Sequence, residues 1–325
     1  MKKITMNDYF CGGGGFGLSA KQAGVEVVSA YDWDKYAVQM YKHNVNEHAQ
    51  QMDITKMTWR DVKKANIWSF GFPCTDLTKA RMDERKKLEG DGSKMFYEVM
   101  RLLDEVIENA PENKPDVLLV ENVYELIEVM NILEDEFSQR GYSIKPALYN
   151  SKWWGVPQSR ERWYVAGIHQ SINKEFHKLL ENKVNTVKMK HFLETNVDEK
   201  YFYSDEKYSY TPIGSEQKGN ELWQVGVLEG GKGWLDYMKR VYSTESIVPT
   251  VHTCQGGHRQ FKILDPETNR VRKGTPREYA RAQGFPEDYE IIVSDSQAYK
   301  VFGNAVSVPL AAEHLRNIKN FLLSL

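Results

Sequence analysis

Residues 3–34 read KITMNDYFCGGGGFGLSAKQAGVEVVSAYDWD, and they contain one complete strand–loop–helix–strand unit. The segments 3–9 and 25–31 are short and contain branched and aromatic residues, which predicts two strands. A glycine-rich loop, residues 10–17, follows the first strand, and a short helix follows the loop and ends at Gly24, a favourable helix C-terminal residue. Two parallel strands joined through a helix are the repeating unit of α/β sheets.

The same alternation continues to about residue 170 and predicts the fold class. Further helices are expected at 35–44, 95–109 and 126–139, and further strands at 67–72, 116–120, 142–149 and 163–168. This order predicts an α/β protein with a doubly wound, mostly parallel sheet.

Beyond about residue 170 strands and helices no longer alternate, and we predict a division into domains. Residues 1–172 are expected to form the large domain, and residues 173–297 a smaller, irregular domain with short strand-like pieces. A helix is predicted from Pro276 to Ala282, because Pro276 suits the first helical position behind Thr275. The segment 298–325, with a helix at 309–323, is expected to return to the large domain.

Bulk composition excludes several classes of protein. The formal net charge of -2 gives no sign of a nucleic-acid binder, although binding needs only a local basic patch. The longest apolar runs fall short of the roughly 20 residues that span a membrane, and the N-terminus lacks a signal-peptide pattern. The cysteines, Cys11, Cys74 and Cys254, are odd in number and widely spaced, so neither a disulfide framework nor a metal site is expected. We expect a cytoplasmic protein without metal.

The glycine loop and the end of the second strand predict a ligand site. Glycines between a strand and a helix let the backbone approach a ligand closely, and a nucleotide, a dinucleotide or S-adenosylmethionine would each fit. Asp32 at the end of the next strand can accept ribose hydroxyls, and Trp33 can stack on an adenine ring. The alternative is a strand-end carboxylate beside a partly buried aromatic residue.

Pro73-Cys74 follows a short apolar strand, at the sheet edge where ligands collect in open α/β folds. A lone cysteine is more often a buried structural thiol than a nucleophile. A basic run follows at Lys79, Arg81, Arg85, Lys86 and Lys87; such a run is usually solvated, but its position after Cys74 makes it a candidate for anion contacts.

Two further charged segments carry candidate site residues. Glu121 follows an apolar strand, where a carboxylate can serve as an acid or simply cap the next helix. In Gln158-Ser159-Arg160-Glu161-Arg162 the two arginines alternate, so an extended chain would present both on one face. They can hold a carbonyl or an anion, or they can form an exposed charged edge.

Taken in order, these segments resemble the DNA (cytosine-5) methyltransferase family from Asp8 to about Ala312, sparing the middle of the small domain. The likeness rests on several independent motifs in the family's order. They are Phe10, Gly12, Gly14 and Gly15; Asp32-Trp33-Asp34; Asp53-Ile54; Pro73-Cys74; Glu121-Asn122-Val123; Gln158, Arg160 and Arg162; Arg277 to Pro286; and Gly303-Asn304-Ala305-Val306.

The resemblance implies a cofactor, S-adenosylmethionine, which leaves as S-adenosylhomocysteine, and a mechanism. Cys74 would attack carbon 6 of a flipped-out cytosine, Glu121 would bind its amino group and ring nitrogen 3, and Arg162 would hold its carbonyl oxygen. Arg160 would support the loop and the active-site carboxylates. The implied cofactor contacts are Phe10, Gly12, Gly14, Gly15, Asp32, Trp33, Asp53, Ile54, Pro73, Asn304 and Val306.

The resemblance also implies duplex DNA as the partner. The basic run after Cys74 would meet phosphates, and the small domain would read bases, with Arg240 and Arg259 as expected DNA contacts. Thr75 stands where many members carry Gln, and Arg81 where Gly is common. A tRNA cytosine methyltransferase of the same fold and a catalytically silent relative are the alternatives. We expect a monomer from a bacterial cytoplasm or a phage-infected cell.

Overall fold

The computed structural model describes residues 3–73, 88, 90, 92–172, 176, 180, 186–214, 222–254 and 258–325. The chain divides into two compact units. The first comprises Met1–Tyr149, Glu161–Glu181 and Val308–Leu325, and the second comprises Asn150–Arg160 and Asn182–Ser307. These boundaries differ from the predicted ones: residues 150–160 join the second unit, and the chain returns to the first at 308 rather than at 298. Neither crossing is marked by a change in composition.

A seven-stranded sheet with the order β3-β2-β1-β4-β5-β7-β6 forms the centre of the first unit. Its strands are β1 (Thr5–Tyr9), β2 (Glu26–Asp32), β3 (Ala49–Gln51), β4 (Ile67–Phe70), β5 (Val117–Val123), β6 (Tyr142–Asn150) and β7 (Glu161–His169). The neighbours from β3 to β5 pair in parallel, and β7 pairs antiparallel with β5. The prediction of a doubly wound, mostly parallel sheet is confirmed.

Four helices connect these strands: α1 (Gly15–Ala23), α2 (Lys35–Asn44), α3 (Met95–Asn109) and α4 (Met130–Gln139). The bounds of α2 and α3 agree with the prediction because their signals are local. Asp34 caps α2 by accepting the Tyr36 N–H at 2.8 Å, and α3 buries one apolar stripe. The helix predicted at 126–139 is α-helical only in α4, since a 3₁₀ segment occupies Tyr124–Val129.

The second unit contains a five-stranded sheet, formed from short strands in the part of the chain where the sequence predicted strand-like pieces. Its strands, in the order β12-β11-β10-β9-β8, are β8 (Ser209–Pro212), β9 (Gln224–Glu229), β10 (Arg240–Tyr242), β11 (Lys262–Leu264) and β12 (Val271–Lys273). Three of the strands have only three residues each, too few for a periodic pattern to be recognised in the sequence.

The remaining helices are α5 (Asp236–Lys239), α6 (Pro276–Ala282) and α7 (Asp295–Asn304) in the second unit, and α8 (Val308–Leu323) in the first. The predicted start of α6 is confirmed: Thr275 and Glu278 form a capping box, and Pro276 occupies the first turn. Within the first unit α8 packs against α1, where Ser19 donates to the Val308 carbonyl at 2.9 Å. In the described ranges no helix has the length and apolarity to cross a bilayer.

Candidate active site

The glycine loop turns sharply between β1 and α1. Phe10 and Gly12 both have φ of 54°, and Gly14 has φ of 96° at the N-cap of α1. The Cys11 N–H donates to the Tyr31 carbonyl at 3.0 Å, which ties the start of the loop to the end of β2. Left-handed backbone favours glycine, so the sequence Gly12–Gly15 supplies the conformational freedom that this turn needs.

The glycines of the loop serve different purposes. A Cβ on Gly14 would lie 2.5 Å from Val45 Cγ2, and one on Gly17 would lie 2.5 Å from the Tyr41 hydroxyl, so both positions permit close packing of α1 against α2. A Cβ on Gly12 would meet nothing within 4 Å. Gly12 therefore borders open space beside the loop, and Gly15 is a buried residue of α1.

Asp32 organises the loop from the end of β2. Its Oδ2 accepts the Gly12 N–H at 2.9 Å, and its Oδ1 accepts the Asp34 N–H at 2.8 Å. Trp33 beside it has 71 % of its surface exposed, which is unusual for so large an apolar side chain. An ordered carboxylate next to an exposed indole is the arrangement that the sequence predicted for a ribose and an adenine.

Asp53 and Ile54 lie just beyond β3. The Asp53 carboxylate caps a 3₁₀ turn by accepting the Thr55 N–H at 3.0 Å and hydroxyl at 2.8 Å. These two bonds to Thr55 lower the pKa of the exposed Asp53 carboxyl. Ile54 is buried. Asp53 and Ile54 are the pair that the resemblance assigned to the cofactor, and this assignment stays a prediction.

Asp8, which the sequence reasoning did not select, is a carboxyl fully buried beneath this loop. Its Oδ1 accepts the Ser69 hydroxyl at 3.0 Å, while its Oδ2 has no hydrogen-bond partner among the described residues. Burial, opposed by the Ser69 bond and aided by the nearby Asp32, raises the pKa of Asp8 to about 8. A charged residue inside a short apolar strand is the signal that could have identified it.

Glu121 lies inside β5, because β5 continues to Val123; the predicted strand ended before it. The antiparallel partner β7 causes this extension by pairing Glu121 with Tyr164 and Val123 with Arg162. Glu121 is 6 % exposed, and its Oε1 lies 3.3 Å from Nε of Arg162. The structure thus brings together the carboxylate and the guanidinium that were assigned to one cytosine ring.

The end of β4 is tied to the same place. The Asn122 side-chain amide donates to the Phe72 carbonyl at 3.1 Å and its own oxygen accepts the Val123 N–H at 2.8 Å. Both bonds are buried. Asn122 therefore holds the backbone immediately before Pro73 beside the Glu121 segment, a positioning role that the motif alone did not reveal.

Arg160 belongs to the second unit, and its described contacts are with backbone carbonyls. Its guanidinium donates to the carbonyls of Ala305 at 3.0 Å, Gly303 at 3.4 Å and Val251 at 3.5 Å. Arg160 thereby holds the segment before α8, because three converging carbonyls match the fork of N–H donors that a guanidinium offers. Its expected support of the catalytic loop and the active-site carboxylates stays a prediction.

Gln158 and Gln283 complete this support within the second unit. The buried Gln158 amide donates to Gln283 Oε1 at 3.0 Å, and its oxygen accepts the Val251 N–H at 2.9 Å. Gln283 in turn donates to the Ala305 carbonyl at 3.0 Å. Gln158 and Arg160 of one motif and Gln283 of the motif from Arg277 to Pro286 therefore form one buried hydrogen-bond network around residues 303–305.

Four other predicted site residues also lie in the second unit. Asn304, at the end of α7, is exposed, whereas Val306 is buried. Arg240 pairs with Asp236 at 2.5 Å on the surface, and Arg259 is exposed. The assignments of the first pair to the cofactor and of the second pair to DNA stay predictions.

Several predicted residues fall outside the described ranges: Cys74, Thr75, Lys79, Arg81, Arg85, Lys86 and Lys87. Pro73 is described and half-buried. Across the ranges that the structure describes, no group of three or more His, Cys, Asp or Glu side chains is arranged to hold a metal ion.

Comparison with known proteins identifies a family. The sequence model of one family, the C-5 cytosine-specific DNA methylases, matches residues 4–320. The chain is 30% identical over 321 residues to the type II methyltransferase M.SsoII of Shigella sonnei, covering 95% of this chain and 78% of that protein. It is 29% identical over 309 residues to the type II methyltransferase M.HhaI of Haemophilus parahaemolyticus, covering 93% and 90%.

Solved structures agree on the fold. The Dnmt2 methyltransferase of S. pombe superposes with a TM-score of 0.72 at 18% identity, covering 98% of this chain and 99% of its own. The methyltransferase EhMeth of Entamoeba histolytica gives a TM-score of 0.75 at 18% identity, covering 100% and 99%. With the family match over nearly its whole length, the chain belongs to the C-5 cytosine-specific DNA methylases.

Proposed function

We propose that this protein transfers a methyl group from S-adenosylmethionine to carbon 5 of a cytosine in a specific duplex DNA sequence, through a covalent adduct with Cys74. The observation that carries the proposal is the pair of the buried Glu121 and the partly buried Arg162, with 3.3 Å between Oε1 and Nε. A carboxylate and a guanidinium held side by side match the amino, ring-nitrogen and carbonyl edge of one cytosine.

In the proposed reaction the Cys74 sulfur bonds to carbon 6 of the ring as a thiolate. Glu121 binds the amino group and donates a proton to, or polarises, ring nitrogen 3, while Arg162 holds the carbonyl oxygen. Carbon 5 becomes electron-rich and forms the new bond to the methyl group. Loss of the carbon-5 proton to a base then restores the double bond and expels the thiolate.

The residues of the first unit fit the implied cofactor. Gly12 leaves open space beside the loop, the Asp32 carboxylate is ordered next to it, and Trp33 presents an exposed face. We propose that Asp32 holds the ribose hydroxyls, Trp33 the adenine face, and Asp53 with Ile54 the adenine edge. When bound, S-adenosylmethionine supplies a methyl group activated by its sulfonium charge.

The DNA side of the proposal rests on the second unit and on the segment after Cys74. The target base must leave the duplex to be reached, since its carbon 5 and carbon 6 are enclosed in the stack. We propose that the basic run from Lys79 to Lys87 binds phosphates and that the five-stranded unit reads the sequence. Arg259, which is exposed, is the better candidate for a base or phosphate contact, because Arg240 is already paired with Asp236.

A methyl-transfer assay with labelled S-adenosylmethionine tests the activity. The purified protein is expected to label duplex DNA, and Cys74→Ala to label none. Cys254→Ala is the matched control, because burial raises the pKa of the Cys254 thiol to about 11 and keeps it un-ionised. Label appearing only in tRNA, offered in parallel, would replace DNA by RNA as the substrate.

A trapping experiment tests the covalent step separately. Duplex DNA containing 5-fluorocytosine cannot lose a proton from carbon 5, so the adduct accumulates on the enzyme. We expect a denaturation-resistant protein–DNA species with the wild type and with Cys254→Ala, and none with Cys74→Ala. An adduct that persists in Cys74→Ala would refute Cys74 as the nucleophile.

A further inference from the structure

The buried carboxyl of Asp8 is not used by the proposed reaction. It lies in β1, two residues before the glycine loop begins, and has no exposed surface. One of its oxygens accepts the Ser69 hydroxyl at 3.0 Å. The other oxygen has no partner among the described residues, and a buried acceptor without a donor is costly.

The surroundings of Asp8 are acidic or neutral. Asp32 on β2 is the charged neighbour that acts on it in the described part of the chain, and it opposes ionisation. Cys11 on the loop and Tyr41 on α2 are the titratable groups that Asp8 itself affects, and neither carries positive charge. Among the described residues, the site therefore has a free acceptor and no cation that would balance an ionised carboxyl.

We propose that Asp8 is a positioning residue that responds to the positive charge of the methyl donor. Its carboxyl is protonated in the free protein and releases the proton to solvent when S-adenosylmethionine binds at the glycine loop. No bond to the cofactor changes; the carboxyl becomes a carboxylate, and one proton leaves. The inference rests on the proposed cofactor. A response to the donor's charge would explain why a buried carboxyl oxygen without a described partner lies near the loop, where an apolar group would be less costly.

A negative charge on Asp8 would also make the site bind S-adenosylmethionine in preference to S-adenosylhomocysteine. S-adenosylmethionine carries a sulfonium, and S-adenosylhomocysteine carries a neutral thioether in its place. An anion that forms beneath the loop favours the sulfonium over the thioether, since opposite charges attract strongly at low dielectric. Asp8 would thus weaken product retention after each transfer.

The direction of the pH dependence can be derived from linkage. Burial raises the pKa of Asp8 to about 8 in the free protein, and a bound cation lowers it. Affinity for S-adenosylmethionine then increases as pH rises toward 8 and levels off above it. If the bound carboxyl stays ionised throughout, the dissociation constant falls about tenfold between roughly pH 7 and pH 9.

Calorimetric titration of the full chain near neutral pH tests the proposal. Binding heats measured in two buffers of different ionisation enthalpy give the number of protons released. We expect close to one proton per S-adenosylmethionine and a smaller number per S-adenosylhomocysteine. The Asp8→Asn variant keeps an oxygen for Ser69 and is expected to bind both with no Asp8-derived proton and with a reduced preference for the donor.

Equal proton release in the wild type and in Asp8→Asn would overturn the inference. Ser69→Ala gives a second check, because it removes the bond that favours the carboxylate; the pH at which affinity levels off should then shift upward. Circular dichroism establishes that both variants are folded. If S-adenosylmethionine fails to bind at all, the proposed function itself fails, whereas binding without proton release refutes only the role of Asp8.

Discussion

Glu121 illustrates how a single residue acquires its chemistry from its neighbours. Within β5 it is held between the strands β4 and β7, and its side chain is nearly enclosed. Arg162 supplies the compensating positive charge at 3.3 Å. A buried carboxylate needs such a partner, so the pair is stable in the free protein and is preorganised for a polar ring edge.

Replacing Glu121 by Gln should abolish most methyl transfer while leaving the fold intact. Gln keeps the size of the side chain but removes the acidic proton donor, and loss of general acid catalysis typically costs about 10²- to 10⁴-fold in rate. Single-turnover transfer to duplex DNA measures the effect. Glu108→Gln, at an exposed position of α3 in the same unit, should retain full activity. Equal rates for both variants would contradict the assigned role.

Lys262 is a lysine that lies buried inside the second unit. It is 1 % exposed, donates to the His258 carbonyl at 2.9 Å and lies 4.8 Å from the Trp234 ring. Burial lowers the pKa of Lys262 to about 7. The folded protein therefore prefers the neutral amine across a pH range in which the unfolded chain carries an ammonium ion.

The Lys262→Met variant should be more stable than the wild type near neutral pH. The wild type loses stability as pH falls from the ordinary pKa of lysine, about 10.4, to about 7, at about 1.4 kcal/mol per pH unit. Melting temperatures measured across this range should separate most at the neutral end and converge at the alkaline end. Lys207→Met, at an exposed position, should follow the wild type at every pH. A constant difference across the range would rule out the titration as its cause.

At the scale of elements, the contact between α1 and α2 depends on glycine. The Tyr41 hydroxyl and Val45 occupy the space that side chains at Gly14 and Gly17 would need. Gly12 differs because the space beside it is open. One glycine-rich segment therefore serves both helix packing and, in our proposal, cofactor access.

Gly17→Ala and Gly12→Ala should separate these two uses. A Cβ at 17 would lie 2.5 Å from the Tyr41 hydroxyl and 2.9 Å from Val45 Cγ1, so we expect a loss of about 1–3 kcal/mol in unfolding free energy. At 12 only the positive φ is penalised, by about 1 kcal/mol, while the methyl group enters the open space. Thermal melting and S-adenosylmethionine titration should show Gly17→Ala as the less stable variant and Gly12→Ala as the weaker binder. The reverse order would contradict the division of roles.

For the whole molecule, the second unit has an independent source of stability. Arg272, which has no exposed surface, binds Asp265 at 2.6 Å and Glu278 at 2.8 Å. Glu278 also accepts the N–H groups of Thr275 and Glu194. This network joins β12, α6 and Glu194, and all of its named residues belong to the second unit.

Arg272→Met should destabilise the second unit selectively. Removing the guanidinium leaves two buried carboxylates without the positive charge that balances them, which costs about 3–5 kcal/mol. Hydrogen exchange should accelerate in β11, β12 and α6 and stay unchanged in β1, β4 and β5. Arg270→Met, which breaks a surface pair with Glu199 at 2.6 Å, should leave exchange in these elements nearly unchanged, because exposed ion pairs contribute little to stability. Faster exchange throughout the chain would mean that the two units unfold together.

The amino-acid sequence alone determined the family, the alternating elements of the first unit and the bounds of α2, α3 and α6. These features depend on local physics: apolar periodicity, capping side chains and a proline at the first turn. The order of the motifs also identified Glu121 and Arg162 as members of one site, although they are far apart in the chain.

Only the tertiary structure decided which groups meet. The pairing of β5 with β7 extended β5 past Glu121 and set it beside Arg162, and strands of three residues formed the second sheet through distant partners. Arg160 reached backbone carbonyls that are remote in sequence, and Asp8 acquired its raised pKa from complete burial. Strand pairing and desolvation are set by residues that are remote in sequence, so no local pattern could have specified them.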